Sequence, residues 1–313
     1  MQKSSTRHPV LSLAARIAIM LVLCVCTLDA DAASRVLVVM SSGSSQYRDC
    51  ADQATSAMDG VEVVIKELSS IKKSDLDALS SDDVCLAIGA KAAVGIGREL
   101  DPSVPLIYTM VSDPEGLGLR GRANTAGVSA DVSPADQFAL LKEAYPNAKS
   151  IGMLYRSSSE WSMSIFRLAQ EQLPGGWSIQ AIDMDQYSSD SEAVAALIAQ
   201  RTDFAWMISD HKVYSPATVK ALLIASIKNK LRVFAFSPQV VKAGALIGVG
   251  IDPVEQGQSA GQMVIAVLRG GISAAKKLPS DATPHIAVNN VVADRIDVEL
   301  PKKLVQKADY LYD

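Results

Sequence analysis

The sequence predicts an α/β fold of two doubly wound, Rossmann-like lobes. Three observations predict it: short β-branched runs alternate with stretches of helical periodicity, the same order begins again near Ser150, and the turns after the runs are rich in serine. Alternation of this kind implies parallel strands joined by crossover helices. In open α/β sheets ligands bind beyond the carboxyl ends of the strands, so the serine-rich turns mark the functional edge.

The first series opens with Arg35 to Met40 (RVLVVM), followed by Val61 to Ile65, Val84 to Ile88, Leu106 to Met110 and the short Ala126 to Val128. Tyr47 to Met58, Ala90 to Leu100 and Pro134 to Tyr145 lie between or after them with apolar residues at helical spacing. The second series starts with SIGMLY at Ser150. RVLVVMSSGSSQYRDCADQ pairs with SIGMLYRSSSEWSMSIFRLAQ, VCLAIGAKAAVGIGREL with FAWMISDHKVYSPATVKALL, and VPLIYTMVSDPEG with LRVFAFSPQVVKAG. Each pair is a strand, a short polar turn and a helix.

Candidate ligand residues follow from the turns. In the first series they are Ser42 and Ser44, then Ala90 opening the helix after the third strand, Ser112 with Asp113, and Ser129. Ser157, Ser159, Ser209, Asp210 and Ser237 occupy the matching places in the second. Serine and aspartate are also favoured helix N-caps, so each has a structural reading beside the functional one. Two facing sets of polar turns describe a cleft between lobes.

Composition narrows the function. A chain of 313 residues, 49% hydrophobic and 5% aromatic, is globular and long enough for two domains. A formal charge of −4 gives no basic face for nucleic acid or an anionic membrane. Lys3, Arg7 and Arg16 precede the apolar run Ile17 to Leu28, and Ala30-Asp31-Ala32 follows, which reads as an export signal spanning residues 1 to 32. The run is too short to cross a bilayer. Neither Cys24 nor Cys26 follows the small residue that lipid attachment needs, so a lipoprotein is not expected. Cys50 and Cys85 remain in the exported chain, where an oxidising compartment leaves open either a disulfide or two buried thiols. His211 and His285 lack ligand spacing, and no metal or cofactor is expected.

Two enzyme motifs fail on context. Gly116 to Gly121 matches G-x-G-x-x-G, but RANTAGVS follows it without the helix that a dinucleotide site requires. Gly257-Gln258-Ser259-Ala260-Gly261 matches G-x-S-x-G, and Asp281 and His285 complete the chain order of a hydrolase. Val254 to Leu268 has helical spacing, however, which places Ser259 inside a helix rather than on a strand-to-helix turn. Gly257 and Gly261 are therefore expected to allow close helix packing, and no enzymatic activity is expected.

AGVSADVSPADQFALLKEAYP from Ala126, the following NAKSIGMLYRSSS, and KAGALIGVGIDPVEQGQSAGQMVIAVLRGG from Lys242 together resemble the ABC transporter substrate-binding proteins of the tryptophan/tyrosine-binding type. The resemblance implies a type I periplasmic-binding fold whose two lobes are joined by a three-segment hinge, residues 33–148 plus 252–281 forming one lobe and 149–251 plus 282–313 the other. It implies a small polar solute, an aromatic amino acid or related metabolite, bound in the cleft of a periplasmic monomer and passed to an ABC permease. A sensory module reporting to a membrane histidine kinase is the alternative. By resemblance Asp252 sits near the ligand ammonium, while Ser112-Asp113-Pro114, Tyr155 to Ser162 and Ser209-Asp210-His211 hold the solute. The chain departs from its relatives in three places. Glu160 and Trp161 replace small or amide residues, Pro253-Val254 replaces aromatic ones, and His211 replaces asparagine.

Overall fold

The computed structural model describes residues 34–313. The export signal expected over residues 1–32 lies outside them. The first part of the chain forms β1 (Arg35–Met40), α1 (Ser45–Thr55), β2 (Glu62–Glu67), α2 (Lys73–Asp77), β3 (Val84–Ile88), α3 (Ala90–Glu99), β4 (Leu106–Val111) and β5 (Thr125–Ser129). It continues through α4 (Pro134–Ala144), β6 (Ser150–Tyr155), α5 (Glu160–Gln172), β7 (Ser178–Asp183), α6 (Asp190–Ala199), β8 (Phe204–Trp206), α7 (Pro216–Asn229), β9 (Arg232–Ala235), α8 (Pro238–Ala243) and β10 (Ile247–Gly250). The last elements are α9 (Pro253–Gly270), α10 (Ile272–Ala275), β11 (His285–Asn289), α11 (Asn290–Arg295), α12 (Lys302–Lys307) and β12 (Tyr310–Tyr312).

The strands form two sheets. One is five-stranded and parallel in the order β2-β1-β3-β4-β5. The other is seven-stranded in the order β12-β11-β10-β9-β8-β6-β7, with β10 and β11 antiparallel. Its run β7-β6-β8-β9-β10 winds in the same sense as the first sheet, so the repeat read from the sequence is a repeat of topology. The sequence did not reveal β7, whose alternating exposed pattern marks a sheet edge, nor the added strands β11 and β12.

Many helix starts follow one local rule. Ser133-Pro134, Ser215-Pro216, Ser237-Pro238 and Asp252-Pro253 each place a side-chain oxygen on the free N–H groups of the first turn and a proline where no N–H is needed. The left-handed residue Lys230 ends α7.

Three apolar clusters hold the layers. Val36, Val38, Leu86 and Ile88 on one face of the first sheet meet Cys50 and Ala54 of α1 and Ala260, Met263 and Val264 of α9. Leu37, Val39, Cys85 and Ala87 on the opposite face meet Ala92, Ala93 and Ile96 of α3. The second sheet has its own core around Ile151, Met153, Phe204, Trp206 and Phe234. Phe138 and Leu141 of α4 belong to that second core, which corrects the boundary expected at residue 148: the helix Pro134–Ala144 packs with the second sheet, and the chain crosses over directly after β5. The periodicity of a helix reports that it has an apolar face, not which sheet that face covers.

The cysteines are also settled by this layering. Cys50 and Cys85 are free, buried, and on opposite faces of the first sheet, so the disulfide left open by the sequence does not form. The helix α9 lies against α1, where a Cβ on Gly257 would collide with the Cys50 carbonyl oxygen and one on Gly261 would stand 2.5 Å from that of Ala54. The two glycines of the hydrolase-like motif therefore serve close helix contact, as expected. Ser259 sits within α9, far from any strand-to-helix turn. His285 Nε2 is 3.0 Å from a Glu255 carboxylate oxygen, without hydrogen-bond alignment.

Candidate functional site

A cavity of about 900 Å³ opens between the carboxyl ends of the two sets of parallel strands. The first sheet contributes Gln46 and Tyr47 from α1, Met110 and Ser112 after β4, and Ser129 to Asp131 after β5. Trp161, Ile165 and Leu168 of α5, Trp206 to Ser209 after β8, and Phe236, Ser237 and Val240 after β9 form the opposite wall. Val249, Ile251 and Pro253 floor it where the chain crosses back, and Arg120 and Asp281 stand at its rim, 3.5 Å apart.

The end of β4 is shaped by strain. The register of β4 on β5 shifts between Tyr108 and Val111, and Met110 and Asp113 hold left-handed backbones (φ 54° and 55°). Such conformations persist only where surrounding contacts fix them. Gln256 supplies those contacts from α9: its buried side-chain oxygen accepts from the Thr109 hydroxyl at 3.0 Å and the Met110 N–H at 3.1 Å, while its amide donates to the Ser129 carbonyl at 3.1 Å. One glutamine thus ties the ends of β4 and β5 to the crossover helix.

The aromatic walls are similarly fixed. The Trp206 indole N–H donates to Gln137 at 2.8 Å, and Phe138 meets its ring edge-on at 4.9 Å. Trp161, half-exposed, donates its indole N–H to the Ser209 carbonyl at 2.9 Å and presents its ring to the cavity. Tyr and Trp rings anchored in this way offer apolar area without losing rotamer freedom on binding.

Of the residues proposed from the sequence, Ser112, Ser129, Trp161, Ser209 and Ser237 line the cavity. The others stand off its wall. Ser42 and Ser44 are exposed beside α1, and the N-cap Ser44 leaves the first N–H groups of that helix without a side-chain partner. Ala90 opens α3, whose first turn is already met by the Ser41 hydroxyl, which accepts from Ala92 N–H at 2.9 Å. Asp113 turns its carboxylate back to the Gly116 N–H at 2.8 Å. Ser157 bonds to Asp183 and Asp185, and Glu160 is exposed. Ser159 caps α5 and donates to the buried Asp210 at 2.8 Å, a bond that fastens the turn after β6 to the turn after β8. Asp252 is committed on both oxygens: one accepts from the Val254 and Glu255 N–H groups, the other from the Tyr310 hydroxyl. Those hydrogen bonds outweigh the burial that opposes its charge, and they hold its pKa below the usual carboxylate value.

Sequence reasoning missed Tyr47, Met110, Arg120, Asp131, Trp206, Phe236 and Gln256. Trp206 closes β8 inside the second core and Phe236 stands one residue past β9; neither was singled out, because an aromatic residue at a strand end looks the same whether it faces a core or a cleft. Asp131, two residues past the fifth strand, was equally legible. Gln256 carried no signal in a helix otherwise read as packing.

Asp131 accepts from the Ser129 hydroxyl at 2.8 Å and from the Asp113 N–H at 3.0 Å. Its carboxylate is open to the cleft, yet the protein packed around it penalises the charge and raises its pKa, against the opposing effect of those two hydrogen bonds. Among the described residues, no helix is long and apolar enough to cross a membrane.

Comparison with known proteins agrees with this architecture. Residues 59–311 match the model of the family described as ABC transporter substrate binding protein. A tyrosine-binding protein of Clostridioides difficile (strain R20291) is 25% identical over 223 residues, covering 69% of this chain and 61% of that protein. The chain therefore aligns with about three fifths of that relative's length. Among solved structures, a ligand-free, open substrate-binding protein with adhesive properties from Clostridium difficile superposes with a TM-score of 0.73 at 19% identity, over 89% of this chain and 99% of that one. An ABC domain from Streptococcus pneumonia in complex with L-Trp does so with a TM-score of 0.69, also at 19% identity and with the same coverage. These are solute-binding proteins rather than enzymes, with the type I periplasmic fold. With two equivalently wound sheets facing across a walled cavity, and with four fifths of its length matching one model, the chain belongs to the ABC transporter substrate binding protein family.

Proposed function

We propose that this protein is the exported solute-binding component of an ABC transporter, taking an aromatic amino acid or a related small aromatic metabolite in the interlobe cavity and delivering it to a membrane permease. The observation that carries this reading is the cavity itself: about 900 Å³, walled by Tyr47, Trp161 and Phe236, with a few polar groups at the strand ends. A mostly apolar cleft with sparse, fixed polar groups suits a small ring-bearing solute. Ser112, Ser209 and Ser237 supply hydroxyls to its polar part, and Trp161 stacks on its ring. The ligands of two relatives, tyrosine and L-Trp, lie in the same class.

The two sheets act as lobes that close on the solute as a periplasmic monomer, the export signal having been removed after Ala32. The test is a thermal-shift screen of residues 33–313 against amino acids, aromatic metabolites, nucleosides and small sugars, because a ligand that binds only the folded state raises the melting temperature. A shift with an aromatic amino acid supports the reading. A shift only with sugars or nucleosides replaces the solute class.

A further inference from the structure

We infer that His285, once protonated, clasps Glu255 and Asp309 and so locks the hinge between the two lobes, making the lobe arrangement respond to pH near neutrality. This goes beyond solute binding to its regulation, and it rests on the lobes moving about the crossovers as the proposed function requires.

The first ground is position. The chain passes from β10 to α9 through Ile251 and Asp252, and returns from α10 to β11 through residues 276–284. His285 opens β11 and pairs with Gly250 across the antiparallel ladder, so it stands where these two crossings meet. The helix α9 packs with α1 against the first sheet, whereas β11 and β12 extend the second. Contacts from the first turn of α9 to β11 or β12 therefore join one lobe to the other. Two such contacts are present: His285 Nε2 lies 3.0 Å from the Glu255 carboxylate, and the Tyr310 hydroxyl donates to Asp252.

The second ground is an unmet hydrogen-bond requirement. The His285 side chain is only 13% exposed, and its Nε2 is buried without a hydrogen-bond partner. Its Nδ1 faces an Asp309 oxygen at 3.7 Å, and the Ile286 N–H, donating at 2.8 Å, holds that oxygen in place. One imidazole thus sits between two carboxylates. A neutral ring carries one N–H and turns a lone pair toward the other carboxylate, whereas an imidazolium donates to both. Hydrogen bonds between charged partners are the stronger kind, and histidine is the side chain whose charge ordinarily changes between about pH 5 and 8. A small turn of the ring aligns Nε2 with Glu255. The remaining titratable groups around it are Asp252 and Tyr310, whose ring centre is 6.1 Å from that of the imidazole. The strand β10 carries none, and α8, bonded to the far end of β11, carries only the exposed Lys242. The charged groups facing the ring are carboxylates.

The test uses ligand-free residues 33–313 at pH 5.5 and 8.0. The folded clasp holds the proton, so its stabilisation is present at the acid end and is lost as pH rises. His285→Gln and Glu255→Gln should each lower the melting temperature by roughly 1–3 °C at pH 5.5, the double variant should lower it no further, and none should differ from wild type at pH 8.0. Equal losses at both pH values reduce His285 to packing and overturn the inference. Spin labels on Lys91→Cys and Lys220→Cys, exposed on α3 of the first lobe and α7 of the second, then report the lobe arrangement, since the native thiols are buried. With His285 present, the interlobe distance distribution should be narrower at pH 5.5 than at pH 8.0, and His285→Gln should keep the broad distribution at both. A distribution that ignores pH, or that changes alike in His285→Gln, ends the hinge role. No solute enters these measurements, so a failed solute screen and a failed clasp are read separately.

Discussion

Gln256 and Thr109, separated by 147 positions in sequence, share a buried hydrogen bond of 3.0 Å at the point where the crossover helix meets the end of β4. The same glutamine oxygen fixes the left-handed Met110, and its amide fixes Ser129, so one side chain serves three backbone or hydroxyl groups beside the cavity. Gln256→Ala should cost about 1–3 kcal/mol in chemical denaturation, because it strands buried polar groups. It should also weaken solute binding, since Met110 and Ser129 line the cleft. Unchanged stability would show that water replaces the glutamine without loss.

Gly257 and Gly261 set the distance between α9 and α1. Gly257→Ala meets the backbone carbonyl of Cys50, which cannot rotate away as a side-chain tip would. Overpacking of that kind costs about 1–3 kcal/mol, measurable by denaturant midpoint. Ser259→Ala, between them, should leave stability and binding unaltered and show no lost hydrolytic activity.

The thiols give a chemical test of the first sheet's layering. Cys50 and Cys85 are buried, and burial pushes both pKa values up to about 12. The native protein spanning residues 33–313 should not react with a thiol reagent at pH 8, because the thiolate is the reactive form. Denaturation without reductant should reveal two thiols. Finding none would mean that the pair is oxidised and the layering wrong.

Asp252 caps α9 and holds Tyr310 of the final strand. Asp252→Ala should cost about 1 kcal/mol, the usual value of a cap, whereas Asp252→Asn should cost less because asparagine also caps well. The carboxylate's pKa is depressed in the folded state, so its stabilisation is present above its unfolded pKa and is lost as pH falls through the folded value. Melting curves between pH 6 and 3 should therefore decline less steeply for Asp252→Asn than for wild type.

The alternation of RVLVVM, VCLAI and SIGMLY with helical stretches carried the sheet winding, because parallel strands buried on both faces read as continuous apolar runs. The crossover after β5 was misplaced because Phe138 and Leu141 mark an apolar helix face without naming its partner. The strands β11 and β12 went unread, since His285–Asn289 and Tyr310–Tyr312 are short and lack strong β-branched pattern. At the site, the serine turns were visible, but Ser159 and Asp210 spend their hydrogen bonds on each other. Of the rings that wall the cavity, Trp161 was legible at the start of α5, whereas Tyr47 on α1 and Phe236 past β9 were not, because burial and exposure to a cleft look alike in a sequence.

The covering of the first sheet by α9 has a consequence for how the chain is made. Val36, Val38, Leu86 and Ile88 find part of their apolar cover in Ala260, Met263 and Val264, which follow every strand from β6 to β10 along the chain. While synthesis proceeds from the N-terminus, that face of the first sheet stays bare until α9 emerges, so the first lobe cannot finish before most of the second has been translated. A chain released at residue 150 would display an unshielded apolar surface and clump.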